Sequence, residues 1–286
     1  MTMGNQPKND KLGDRMKGQY EDRSRFFLPR RTYTILRVDG RAFHTWTKGL
    51  TKPYDTKFMS CMDAAAIALC KEIAGARFAY VQSDEISVLA TDFADEGSQS
   101  WFDGNLQKWV SVAASIATMS FNRIVAHFSK TASWSDSMKE APWFGKTPDA
   151  VFDARAFTIP DYIEVENYFI WRQQDAARNS VTQLASAYAS HKKLQGKSTP
   201  ERHEIIHEAG DNWAKHPVRF KHGGVIRKHT PVLSDEALAL SIARRGEWAL
   251  DESTPTFTRN RDYLRNMIPR HWEGDDNTLK AKGVTA

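Results

Sequence analysis

Apolar and polar positions along the chain fall into blocks with two different periods. Residues 32–40, "TYTILRVDG", are β-rich and close on Asp-Gly, which predicts a strand leading into a tight turn. The stretch "TKFMSCMDAAAIALCKEIAG" carries Phe58, Met59, Met62, Ala66, Leu69, Cys70 and Ile73 at three- and four-residue steps, one face of a helix, with Gly75 as its stop. "RFAYVQSDEISVLATDF" reads as two strands folded about the polar centre Gln82-Ser83-Asp84-Glu85. Helical spacing returns over 101–128, from Leu106 and Trp109 to Ile124 and Phe128. After a surface excursion over 129–150, "AVFDARAFTIP" predicts another strand.

The resulting order, β-α-β-β-α-β, predicts an α+β fold of ferredoxin-like type, an antiparallel sheet with two helices on one face. Downstream, "YIEVENYFIWRQQDAARNSVTQLASAYASH" predicts a helical region in two parts, and the chain after Gly196 is polar and basic to about 230. A further helix is expected at "SDEALALSIARRGEWAL", before a polar tail from Trp272. We divide the chain into a ferredoxin-like core with a basic N-terminal arm (1–160), a helical and basic region (161–230) and a C-terminal extension packed on the same domain (231–286).

Composition narrows the class without naming it. At 41% apolar and 26% charged residues, with no apolar run long enough for a membrane span, the chain reads as an ordinary globular protein. Its polar N-terminus lacks the apolar stretch of a secretory signal, and the expectation is a cytoplasmic protein. Cys61 and Cys70 lie nine residues apart on one predicted helix. That is too far for a bridge, so both are expected to be small core residues, and no Cys/His pairing suggests zinc. The net charge of +5 admits an anionic partner. Basic residues cluster in "RSRFFLPRR" (23–31) and "KHPVRFKHGGVIRKH" (215–229), either solvated faces or grips on a phosphate backbone.

The adjacent acids in "YVQSDEISVLA" are costly inside an apolar run unless something neutral or cationic meets them. In the expected topology Asp39 leaves the end of the first strand, while Asp84 and Glu85 occupy the turn between the second and third. The fold therefore brings Asp39, Asp84 and Glu85 together. Carboxylates so placed suit Mg²⁺, and two such ions would serve phosphoryl or nucleotidyl transfer. Gly40 permits close backbone approach, and the N–H groups of Arg41, Ala42 and Phe43 can point at a triphosphate. Arg41, Lys48 and Lys52 would add charge. Taken singly, Asp-Gly is also an ordinary turn and Ser-Asp-Glu an ordinary hairpin tip.

"RVDGRAFHTWTKGLTKPYD", "YVQSDEIS", "FDARAF" and "WRQQDAARNS" together resemble the tRNA-His guanylyltransferase family, specifically its Thg1-like proteins, over roughly residues 10–230. The resemblance implies a polymerase-like palm in which Asp39, the Gly40 carbonyl and Asp84 hold two Mg²⁺ ions, with Glu85 beside them. It implies that a nucleoside triphosphate, usually ATP, activates a 5′-monophosphorylated tRNA. The 3′-hydroxyl of an incoming nucleotide, GTP or another triphosphate, then attacks the activated phosphate. By matching motif position, His44, Lys52 and Ser83 would contact the activating nucleotide, and Arg37 would lie near the site. The resemblance also implies a homotetramer.

The sequence departs from that pattern at one place. Family members that guanylylate tRNA-His carry His-x-Asn-Asn after "WRQxD", whereas this chain has Ala177-Arg178-Asn179-Ser180. That favours the Thg1-like branch, which repairs 5′-truncated tRNAs against the opposite strand of the acceptor stem, over non-templated addition of one G. Arg172 and Asn179 are candidate RNA contacts, although Trp171, Arg172 and Asp175 also sit at a spacing suited to packing and pairing on a helix. Lys192, Lys193, Arg219, Lys221 and Arg227 are candidates for gripping the acceptor stem, read by shape and backbone. More remote alternatives are a palm-fold nucleotidyl cyclase and a non-catalytic RNA-binding module.

Overall fold

A computed structural model describes residues 10–131, 143, 145–229 and 246–271. In chain order they form α1 (Lys11–Met16), β1 (Tyr33–Gly40), α2 (Phe43–Trp46), α3 (Thr56–Glu72), β2 (Ala76–Gln82), β3 (Glu85–Thr91), α4 (Leu106–Thr131) and β4 (Phe152–Ile159). There follow α5 (Tyr162–Tyr188), α6 (His191–Leu194), α7 (Thr199–Glu208), α8 (Val218–His222), β5 (Gly224–His229) and β6 (Glu247–Asp251), and a short helix at Arg261–Arg265. The strands make one antiparallel sheet in the order β4-β1-β3-β2-β5-β6. Its first four strands have the ferredoxin-like arrangement expected from the β-α-β-β-α-β succession.

The central strands read as near-continuous apolar runs because both faces of the sheet are covered. On one face Leu36, Val38, Ile86 and Val88 pack with Met62 and Leu69 of α3 and Ala113, Ala117 and Phe121 of α4. On the other, Tyr33, Ile35, Phe78, Tyr80 and Leu89 pack with Val165, Phe169 and Ile170 of α5 and with Phe257, Leu264 and Ile268 from the C-terminal segment. Each such large apolar side chain, fully buried, contributes about 1.5–3 kcal/mol. The two cysteines lie in the α3 side of this core, as expected, and burial pushes the Cys61 thiol up to about 12.

Five expectations are corrected. The region 162–188 is one helix of 27 residues, since no Gly or Pro interrupts it and the Asp161 side chain caps its start by accepting from the Glu164 N–H. Helix α4 starts at Leu106 and not at 101, because Phe102 and Asp103 take left-handed conformations. The basic stretch after Gly196 contains α7, α8 and the strand β5. Of the helix expected over 234–250, residues 234–245 lie outside the described residues, and Glu247–Leu250 belong to strand β6. There Trp248 and Leu250 point alternately into the α3 side of the core, the strand period winning over the helical one. The excursion at 129–150 is not wholly superficial either. Trp143 and Ala150 are buried, while 132–142 and 144 lie outside the described residues.

Candidate active site

The period of two along β1 and β3 decides which side chains meet. Asp39 and Arg37 share the parity of Tyr33 and Ile35, and Glu85 and Ser87 share that of Leu89, so all four lie on the face that α5 covers. Asp39 stands directly opposite Glu85 on β3 and opposite Asp153 on β4. The two-residue turn Ser83-Asp84 closes against β1 through a hydrogen bond from the Gly40 N–H to the Asp84 carbonyl at 3.0 Å, with Ser83 at φ 46°. The three predicted acids are therefore brought to one end of the sheet.

They are not equivalent. Glu85 is buried and takes a bidentate pair from Arg172 of α5, Nε to Oε1 at 2.7 Å and Nη2 to Oε2 at 2.7 Å, with Arg37 Nε at 4.0 Å. Such fork-to-carboxylate geometry is the strong form of an ion pair. Arg172 is itself buried and also holds Asp175 at 3.1 Å. Its predicted role as an RNA contact thus gives way to a structural one: it neutralises Glu85 from behind the site. Asp39 and Asp84, by contrast, form no ion pair with any arginine, lysine or histidine among the described residues. Burial pushes the Asp39 carboxyl up, and Asp84, Glu85 and Asp153 push it further, with Arg37 opposing. Burial also raises Asp84, opposed by hydrogen bonds from its own backbone and from Ser83, while the Glu85 charge raises it and His44 lowers it.

Two carboxylates held above their usual range beside a main-chain carbonyl are suited to a hard cation. Among the described residues no three His, Cys, Asp or Glu side chains are grouped to hold a metal ion. The donor set Asp39, Asp84 and the Gly40 carbonyl fits Mg²⁺, which keeps several waters and takes one or two carboxylates plus substrate phosphates, better than it fits an all-protein cage.

Beside the acids lies a cavity of about 510 Å³, lined by Gly40, Ala42, Phe43, His44, Lys52, Ser83, Asp84 and Asn179 among others. A methyl group on Gly40 would run into the Phe43 ring, so glycine is needed for the backbone to pass there. Ala42 is left-handed at φ 56° and caps α2 without a side-chain bond. The N–H groups of Ala42, Phe43 and His44 follow one another at this turn around a left-handed residue, and successive main-chain donors so placed can form an anion-binding concavity. The Arg41 N–H, also expected here, is instead spent on the Val151 carbonyl, and the Arg41 side chain does not line the cavity.

The loop between α2 and α3 is fixed by Asp55, which sequence reasoning passed over. Its buried carboxylate caps α3 by accepting from the Phe58 N–H, accepts from the Thr51 N–H, and takes the Trp143 indole N–H at 3.0 and 3.1 Å. The only sequence signal was Asp one residue before a helical pattern.

The basic candidates divide. Lys192 and Lys193 are exposed on α6 and form no ion pair among the described residues. Lys221 donates to the Ala214 carbonyl at 2.6 Å and lies 5.2 Å from the Trp213 ring. Arg219 pairs with Asp63, donates to the Val81 carbonyl and lines the cavity, and Arg227 pairs with Asp251 at 2.7 Å. Both are committed inside the molecule. Asn179 donates to Asp175 at 3.4 Å, and Gln183, one turn on, reaches Ser83 Oγ at 3.4 Å.

A family model described as Thg1, tRNAHis guanylyltransferase, matches residues 13–160. Among solved structures, a bacterial tRNA(His) guanylyltransferase (Thg1)-like protein in complex with ATP is 36% identical, superposes with a TM-score of 0.76, and is covered over 99% of its length by 91% of this chain. A structure of such a protein in complex with GTP is also 36% identical, with a TM-score of 0.68, covering 91% of this chain and 100% of its own. The tRNA(His) guanylyltransferase of Schizosaccharomyces pombe is 28% identical over 220 residues, 72% of this chain and 77% of its own.

Proposed function

Since the chain belongs to the tRNAHis guanylyltransferase (Thg1) family of nucleotidyltransferases, we propose that it adds nucleotides in the 3′-to-5′ direction to truncated tRNA 5′ ends, templated by the opposite strand of the acceptor stem. The 5′-monophosphate of the tRNA first attacks the α-phosphorus of a nucleoside triphosphate, ATP or GTP, forming a P–O–P link to the nucleoside monophosphate while the α–β bond breaks and pyrophosphate leaves. The 3′-hydroxyl of the next nucleotide then attacks the activated phosphorus, a P–O bond forms, and the activating nucleoside monophosphate leaves with the electron pair.

The observation that carries this reading is the pairing of two carboxylates without an ion-pair partner among the described residues, Asp39 and Asp84, with a cavity lined by the turn Gly40, Ala42, Phe43 and His44 and by Lys52. The donors of Ala42, Phe43 and His44, with Lys52 at the cavity wall, receive the triphosphate. Asp39, Asp84 and the Gly40 carbonyl would hold two Mg²⁺ ions, which when bound lower the pKa of the attacking hydroxyl and neutralise the leaving oxygens. Arg172 fixes Glu85, and Glu85 anchors the hairpin that presents Asp84.

Repair is favoured over non-templated addition by the α5 segment beside the cavity. Ala177 carries no polar group, and Ser180 is buried, accepting from the Trp213 indole at 2.9 Å and donating to the Ala177 carbonyl at 2.8 Å. Of that segment Asn179 and Ser180 line the cavity, and with the Ser180 hydroxyl already engaged, Asn179, whose amide N–H reaches Asp175, is the polar group it presents there. The enzyme acts as a homotetramer, in which one tRNA touches more than one subunit. The test is a set of 5′-truncated tRNAs differing only in the unpaired nucleotide of the opposite strand. Incorporation that follows the complement of that nucleotide supports repair. Addition of G whatever stands opposite would assign the chain to non-templated guanylylation.

A further inference from the structure

A second concavity, about 410 Å³, opens at the opposite end of the sheet, between the C-terminus of α3, the start of β2, the end of β3 and the outer strands β5 and β6. Along the β2–β3 hairpin it is separated from Asp84 by the length from Gln82 back to Ala76, roughly 20 Å at the strand rise. Three cations line it, Lys71, Arg77 and Lys228, together with the indole of Trp248, and among the described residues no acidic one does. None of the three forms an ion pair among the described residues. The acids adjacent in sequence to its lining residues do not line the wall: Glu72, Asp95 and Glu247 are exposed, and Asp92 is paired with Arg30.

Arg77 is the informative member. It is partly buried, and its guanidinium is held at one edge only, by Nε donating to Thr91 Oγ1 at 2.7 Å. Three other guanidinium groups that border the core each have an acid: Arg172 of α5 has Glu85, Arg219 of α8 has Asp63 and Arg227 of β5 has Asp251. A guanidinium drawn partly out of water without a counter-ion is unfavourable unless an external anion completes it. Lys228 stands across from Trp248 in the β5–β6 register and lies 5.3 Å from its ring, so the aromatic wall and the charge face one space. Cations interleaved with a flat aromatic surface are the chemistry of a phosphodiester strand with a base on the ring.

We propose that this cleft is a second contact for the RNA substrate, binding backbone phosphates at Lys71, Arg77 and Lys228 with Trp248 against a base or ribose, remote from the transfer site. It rests on the reading of the chain as a tRNA enzyme. A tRNA engaged at Asp39 and Asp84 presents phosphates far beyond 20 Å, so the cleft measures substrate length and holds the body of the RNA while its end reacts.

The test measures binding of a 5′-monophosphorylated tRNA to the full chain over a range of salt concentrations, for wild type, Arg77→Gln/Lys228→Gln, and Lys71→Glu/Lys228→Glu, the last touching only exposed side chains. Both double variants should lose about tenfold or more in affinity, and the salt slope of the first should fall by roughly 1.4–1.8, two phosphate contacts' worth. Binding of ATP, and transfer to RNA supplied at saturation, should be unchanged. Unaltered affinity and slope in both variants would overturn the proposal. So would loss of tripolyphosphate binding with tRNA binding intact, which would assign the cleft to free polyphosphates. Wild-type protein that binds tRNA in the predicted salt-dependent way but transfers nothing would sink the catalytic reading and leave this one standing. Wild-type protein that binds no tRNA would sink both.

Discussion

Asp39 and Asp84 are ionised at a cost, and that cost gives their function a thermodynamic signature. Burial and mutual repulsion raise both pKa values in the folded state. As pH climbs, the unfolded chain therefore releases these protons first. The resulting destabilisation is absent below the ordinary carboxylate value, develops as pH rises from that value through the raised one, and is complete above it. Asp84→Asn should consequently raise Tm at neutral pH without a divalent ion, flatten the fall of Tm with pH across that window, and abolish transfer. Adding Mg²⁺ should raise Tm of the wild type, by the equivalent of about 2.7 kcal/mol at a hundredfold excess over Kd, and leave the variant unmoved. Thermal scans against pH, with and without Mg²⁺, check both. Glu85 differs in having its charge met inside the protein by Arg172. Arg172→Ala leaves buried Glu85 with Arg37 alone, at 4.0 Å, and should cost about 3 kcal/mol in denaturant unfolding, while Glu85→Gln combined with Arg172→Met recovers most of it. The sequence exposed the acids, since Asp84 and Glu85 interrupt an apolar run, but not their division of labour. That depends on which residue of a helix 87 positions further on faces Glu85, a fact of tertiary packing that local spacing does not contain.

At the level of elements, the β1 turn, α2 and the loop into α3 form one wall of the nucleotide cavity, and Asp55 is the pin that holds it. Asp55→Ala removes an N-cap, worth about 0.5–2 kcal/mol, and leaves the buried Trp143 N–H unpaired at about 1–3 kcal/mol more. We expect a loss of roughly 2–4 kcal/mol in stability and weaker binding of ATP, read by calorimetry, with Asp55→Asn restoring much of the first. The long periodic elements were legible: α3, the β2–β3 hairpin and β4 follow the residues that predicted them. Those that escaped had weak local signals. "GVIRKH" of β5 has three basic or polar residues in six and becomes a strand only because Val225 and Ile226 find β2 beside them. β6 is five residues with an Ala at its centre, and pairing with β5 overrides the helical propensity around it.

For the molecule as a whole, the succession of strands and helices was enough to place β1 between β3 and β4 and so to gather Asp39 with Asp84, the geometric core of the account. Surface charge was less readable. The run at 215–229 looked like one basic face, yet Arg219 and Arg227 are consumed by Asp63 and Asp251, acids far away in sequence. Lys192 and Lys193 on α6 and the cations of the cleft beyond β2, which form no ion pair among the described residues, sit in different regions of the molecule. Electrostatic attraction for RNA therefore comes from dispersed contacts, and binding should weaken steeply with salt. The most direct measurement incubates the purified protein with Mg²⁺, ATP, labelled GTP and a 5′-monophosphorylated tRNA lacking its first nucleotide. Asp39→Asn and Asp84→Asn serve as controls shown by binding to retain the tRNA. Label joined to the 5′ end by the wild type, and at least a hundredfold less by either variant, is the predicted result. Transfer that survives in both variants, or tRNA that is bound by the wild type and never extended, would contradict it.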